Sequence, residues 1–141
     1  MPKAIRIGPR GLLDAMADSS KSSPNPILEV SQIRSLLEGA SPTECRSVID
    51  SLIEAFKQEA DQQVAILCDC DRDTDPTRIE YLAHSLSGSS GNLGMTRLSL
   101  FAKAIELNAQ SSTFRIDLNL SRELRALYEA SLHAFETAFV R

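Results

Sequence analysis

The sequence has no Trp, only two His and three Cys, and aromatic residues make up just 5% of its 141 positions. Two histidines, His84 and His133, are too few for a His-rich metal site and leave two candidates for imidazole chemistry. Cys45, Cys68 and Cys70 form an odd set, which suits reduced thiols in the cytoplasm better than a disulfide framework. No apolar run approaches the roughly 18 residues needed to cross a bilayer, so no membrane partner is expected. The start, Met1-Pro2-Lys3-Ala4-Ile5-Arg6, lacks the apolar stretch of about 7–15 residues that follows the charges of a secretory leader. There is no basic excess either: the net charge is −4, which argues against a broad nucleic-acid surface. Also missing are a Gly-rich phosphate loop ending in Lys-Ser/Thr, a Ser-centred nucleophile elbow and an HExxH pair.

What remains is ordinary globular material, 43% hydrophobic and 24% charged. Residues 1–25 stand apart. They carry Lys3, Arg6, Arg10 and Lys21 against Asp14 and Asp18, with several Gly and Pro and the run Ser19-Ser20-Lys21-Ser22-Ser23. This reads as a flexible tail with a short helical turn around Leu12–Ala17. Its net +2 leaves −6 on the body, residues 26–141. The initiating Met and the tail incline the reading toward a separate protein. A body of about 115 residues buries a core without staples.

The body reads as helices. Apolar residues from Ile27 to Leu37 recur at three- and four-residue steps and stop at Gly39. Ser41-Pro42-Thr43-Glu44 is a helix start, followed by Cys45, Val48, Ile49, Leu52, Phe56, Ala60, Val64 and Leu67 at helical spacing. Asp75-Pro76 starts a third helix that runs toward Asn92–Gly94. A fourth begins near Met95 or Thr96 with Leu98, Phe101, Ala102, Ile105 and Ala109, and breaks at Ser111-Ser112-Thr113. The last starts near Ser121 and carries Leu124, Leu127, Tyr128, Phe135, Ala138 and Phe139. Only Phe114–Leu120 hints at a strand, and its Asn and Asp weaken that reading. The expected fold is all-α: an antiparallel up-down four-helix bundle with an additional short N-terminal helix.

Helical phase separates the two histidines. Ile79, Leu82, Ala83, Leu86, Ser90 and Leu93 share the core face of the third helix, and His84 lies roughly 150° away, facing outward. Glu80 and Tyr81 lie one turn before it on that outer side, Ser87 and Gly88 one turn after, and Gly91 two turns after. Glycine inside a helix costs about 0.5–1 kcal/mol relative to Ala. Here two occur where they leave the imidazole open to a bulky partner. The plainer reading makes the glycines packing or kink points and His84 a solvated residue. His133 lies opposite the apolar stripe of its helix with no glycine beside it, and reads as ordinary surface.

The stretch Ala83-His84-Ser85-Leu86-Ser87-Gly88-Ser89-Ser90-Gly91-Asn92-Leu93-Gly94 resembles the phospho-acceptor motif of histidine-containing phosphotransfer (HPt) domains. Ile105-Glu106 is similar to the pair that usually ends the apolar pattern of the following helix in that family. The resemblance covers the body from about residue 27 onward. It implies a relay in which His84, through Nε2, accepts a phosphoryl group from an Asp of a receiver domain or from a hybrid sensor kinase, and passes it to another response regulator. The chain would be a phosphocarrier, neither kinase nor phosphatase, and a monomer. It would have no cofactor of its own, because the receiver supplies Mg²⁺. Glu80, Tyr81, Ser87, Gly88 and Gly91 would contact the partner. One position departs: the family commonly has Lys or Arg three residues after the His, and this sequence has Ser87, which offers one hydrogen bond but no charge. Ser89 and Ser90 turn toward the bundle, where backbone carbonyls are within reach.

Three rival readings remain. Asp69, Asp71, Asp73, Asp75 and Glu80 have the spacing of a calcium-binding loop, but Thr74 replaces its Gly and Pro76 cannot donate where a small strand should pair. The expectation is that these carboxylates end one helix and cap the next. Cys68 and Cys70 lack a second pair at zinc spacing and read as buried or half-buried thiols. A helical interaction module with no phosphorylation fits the amphipathic pattern equally well, and only the surroundings of His84 discriminate.

Overall fold

A computed structural model describes residues 26–71 and 73–139. The expected tail, with its turn around Leu12–Ala17, lies outside the described residues. Five helices are present among them: α1 (Ser31–Leu36), α2 (Pro42–Cys68), α3 (Pro76–Asn92), α4 (Thr96–Asn108) and α5 (Leu118–Phe139). No strand occurs among the described residues.

Local chemistry explains the boundaries. At the start of α2 the Ser41 hydroxyl accepts from the Glu44 N–H at 3.1 Å, and the Glu44 carboxylate accepts from the Ser41 N–H at 2.9 Å. This reciprocal box satisfies two otherwise orphaned donors, and Pro42 occupies the first helical position. Asp75 caps α3 by accepting from the Thr77 N–H at 3.0 Å. Helix α5 begins three residues earlier than the apolar pattern predicts. Asp117 accepts from the Leu120 N–H at 2.9 Å and so acts as the cap, which turns the doubtful strand segment into a helix entry.

The first helix is shorter than the pattern from Ile27 to Leu37 predicts. The chain before it is tied elsewhere: the Glu29 N–H donates to the Gly94 carbonyl at 2.6 Å, strapping the entry segment to the α3–α4 turn. Gly94 has φ +78°, and a Cβ there would lie 2.1 Å from the Glu29 carbonyl oxygen. No other residue fits that approach. At the other end of α1, Arg34 lies 5.1 Å over the ring of Phe139, fixing the short helix across the end of α5.

Each long helix packs against two others: α2 on α3 and α5, and α4 on α3 and α5. One core results. Phe101, Phe135, Leu67, Leu86, Met95, Leu98, Ile105, Leu120 and Leu124 are fully buried within it. Burying such a side chain stabilises by about 1.5–3 kcal/mol. On α3 the buried residues are those of the expected face: Ile79, Leu82, Ala83, Leu86 and Ser90, with Leu93 just beyond. On α2 the pattern holds from Ile49 onward, but Val48 is exposed and Cys45 and Leu52 are only half-buried. The first turns of the 27-residue α2 are therefore only partly covered: Ile49 is buried while Val48 beside it is exposed. Tyr128 donates to the Asp61 carboxylate and packs against Phe56, with ring centroids 6.1 Å apart, locking α5 to α2. Among the described residues no helix is long and apolar enough to cross a membrane.

Candidate functional site

Helix α3 places its core face inward, so His84 emerges on the other side, with its side chain 68% exposed. Its closest neighbour comes from α4. The Nδ1 atom lies 3.0 Å from the Glu106 Oε2, and the Glu106 side chain is only 15% exposed. A carboxylate accepts, so Nδ1–H donates, and in the neutral ring the free lone pair is then on Nε2. Lys103 lies one turn before Glu106 on α4, with Nζ 3.5 Å from the other carboxylate oxygen.

The approach of α3 to α4 depends on small residues. The Ser87 hydroxyl donates to the Ser99 carbonyl at 3.0 Å, and the Ser99 hydroxyl donates to the Ser87 carbonyl at 2.8 Å. A Cβ on Gly91 would meet the Ser99 hydroxyl oxygen at 3.1 Å. Larger residues at this crossing would push the helices apart and draw Glu106 away from the imidazole. Further along the seam, the Glu80 carboxylate accepts from the Gln110 amide at 3.0 Å.

The predicted site residues therefore divide. His84, Tyr81 and Gly88 are exposed together on the outer side of α3. A Cβ on Gly88 would meet nothing within 4 Å, so no packing contact requires glycine there. Ser87, Gly91 and Glu80 flank the same surface but also bind α3 to α4, and the Ser87 hydroxyl is already engaged by Ser99. Ser90 donates to the Leu86 carbonyl at 2.6 Å and Ser89 to the same carbonyl at 3.4 Å, facing the bundle as expected. His133 is exposed on α5.

The α4 contribution is what residue-by-residue reading missed. The sequence marks Glu106 only through a resemblance and does not single out Ser99 or Lys103. The signal was available: Ser99, Lys103 and Glu106 recur at steps of four and three, one strip of the helix. Leu100 and Leu107 are exposed three residues before and four after Lys103, giving that strip an apolar border.

The rival motifs serve local structure. The Asp71 carboxylate accepts from the Asp73 N–H at 2.9 Å, Asp75 caps α3 and Glu80 holds Gln110. No group of three or more potential metal ligands occurs among the described residues. Cys68 and Cys70 are free thiols, and burial raises the pKa of each above the usual range.

The family model for the Hpt domain matches residues 51–134, which run from within α2 to within α5 and include both His84 and Glu106. No curated protein and no solved structure matches the chain. The matched segment spans more than half of the sequence, and the chain belongs to the Hpt domain family.

Proposed function

We propose that this chain carries phosphoryl groups on His84 between proteins of a phosphorelay. Hpt domains in general take part in phosphotransfer within two-component systems and interact with receiver domains. The observation that carries the proposal for this chain is the exposed imidazole whose Nδ1 is held by Glu106. Held in this way, the ring presents Nε2 outward. Positioning of this kind is most of what a phosphoryl-transfer nucleophile requires.

The step balances without a proton leaving. The Nε2 lone pair of neutral His84 attacks phosphorus of an aspartyl phosphate on a receiver domain. The P–O bond breaks and the Asp carboxylate departs. The ring then carries phosphorus on Nε2 and keeps its proton on Nδ1, so it becomes cationic. Glu106, almost buried, compensates that charge. Reversal toward a second response regulator returns the ring to neutral. Mg²⁺ would enter with the receiver. The chain is a carrier in this scheme, with no kinase activity of its own.

The docking face would centre on His84, Tyr81 and Gly88, with Glu80, Ser87 and Gly91 along the seam and Leu100 and Leu107 as apolar border. We read the scaffold as an antiparallel up-down bundle. Contacts of 84 with 106, 87 with 99 and 80 with 110 on one side, and of 61 with 128 and 68 with 121 on the other, support that reading. A monomer in the cytoplasm fits the same picture.

The test is incubation with phosphorylated receiver domains and Mg²⁺, comparing wild type with His84→Gln. Acid-labile, base-stable label on wild type alone is the expected result. Equal labelling of the variant, or no label on wild type across a panel of receivers, would refute the proposal and leave a helical interaction module as the reading.

A further inference from the structure

We propose that Lys103 supplies, from α4, the positive charge that compensates the phosphoryl group at His84. This deepens the phosphotransfer reading and rests on it. A phosphoryl group on Nε2 carries close to two negative charges, and the positive charge the ring gains is already balanced by Glu106. An arriving anion therefore meets a carboxylate unless a cation offsets it. Within α3 none is at hand. The outer face around His84 offers Glu80, Tyr81, Ser87, Gly88 and Gly91, and the residue three positions on is Ser87, whose hydroxyl is spent on Ser99.

Lys103 fills this gap. Its Nζ lies 3.5 Å from the Glu106 Oε1, the oxygen turned away from the imidazole. That oxygen is buried and has no hydrogen-bond partner, so the ammonium is its compensation. The three groups form one chain, ammonium, carboxylate and imidazole ring, in which the ammonium offsets the carboxylate that holds the ring. Lys103 is half exposed, and its four-carbon arm leaves the ammonium free to shift from carboxylate toward an arriving phosphate. The residue touches neither substrate nor the ring in the resting state. It is a positioning residue, acting through Glu106 and through the field at Nε2.

A small donor tests this without a partner. Potassium phosphoramidate transfers its phosphoryl group directly to imidazole: the donor P–N bond breaks, ammonia leaves and a new P–N bond forms at Nε2. Labelling of wild type, His84→Gln, Lys103→Met and Lys103→Arg would be followed by ³¹P NMR. At low salt we expect Lys103→Met to label about two- to fivefold more slowly than wild type. Lys103→Arg, which keeps the charge, should stay near the wild-type rate. The gap should close near 1 M salt, where the screening length falls to about 3 Å. A merely structural role for Lys103 predicts neither the tolerance of arginine nor the salt dependence. Equal rates for Lys103→Met and wild type at low salt would overturn the proposal while leaving His84 as acceptor. A deficit that salt and arginine leave untouched would overturn it as well. No label on wild type would remove the phosphotransfer reading and this proposal together.

Discussion

Replacing Gly88 separates stability from docking, because the two respond in opposite directions. Its backbone is helical, and a Cβ there meets nothing within 4 Å. Gly88→Ala should therefore stabilise the fold by about 0.5–1 kcal/mol through helix propensity alone. For a domain of this size that raises the melting temperature by roughly 2–4 °C. Gly88→Gln should gain similarly, but its side chain has a second effect. Position 88 lies one turn beyond His84, and side chains on a helix lean toward its N-terminus. The glutamine would lie across the approach to Nε2. Circular dichroism melts and two donors make the assay. Phosphoramidate is small and should label the Gln variant within about threefold of wild type. Transfer from a phosphorylated receiver needs close docking and should fall by about tenfold to a hundredfold, as misplacement of the reacting groups by an ångström can do. Gly91→Ala is the internal contrast. Its Cβ meets Ser99 at 3.1 Å, so the same propensity gain should be cancelled or reversed. A melting temperature that falls in Gly88→Ala, or receiver transfer unimpaired in Gly88→Gln, would refute the assignment of Gly88 to an open docking face.

Gly94→Ala should destabilise the fold by about 2–4 kcal/mol in urea unfolding, since the position combines a left-handed φ with a Cβ 2.1 Å from backbone. A loss below about 1 kcal/mol would mean that the Glu29 strap yields easily. Tyr128 has its pKa raised by burial and then by the Asp61 carboxylate. The folded state therefore holds its phenol proton more tightly than the unfolded chain. That contribution is fully present below the ordinary tyrosine pKa near 10 and is lost as pH rises above it. Stability of the wild type should accordingly decline above about pH 10 more steeply than that of Tyr128→Phe, which at neutral pH should be weaker by about 1–2 kcal/mol. Parallel alkaline declines in the two proteins would refute the assignment.

Much of the architecture follows from patterns only three or four residues long. The capping box at Ser41, the Asp75-Pro76 start, the stop at Gly39 and the core face of α3 are local, and each is where the spacing places it. Errors arise where a distant partner decides. Residues 27–30 continue an apolar helical pattern, yet the Glu29 N–H goes to Gly94. Val48 fits the three- and four-residue spacing of α2, yet it is exposed while Ile49 beside it is buried. The polar residues of 114–120 weaken a strand, and it is the Asp117 oxygen among them that caps a helix.

The site divides along the same line. Phase along α3 was enough to turn His84 outward, set Gly88 beside it and distinguish it from His133, because the direction of a side chain on a helix depends only on the helix. Which nitrogen of the ring is free depends on Glu106, 22 residues further on, and on Lys103 behind it. Those contacts exist only because Ser87, Gly91 and Ser99 let two helices approach closely enough for a carboxylate to reach the imidazole. The sequence alone determined that a histidine faces outward on a glycine-cleared helix. The packing of α4 against α3 decided how that histidine is oriented and what charge surrounds it, since hydrogen bonds and electrostatic fields act across space and not along the chain.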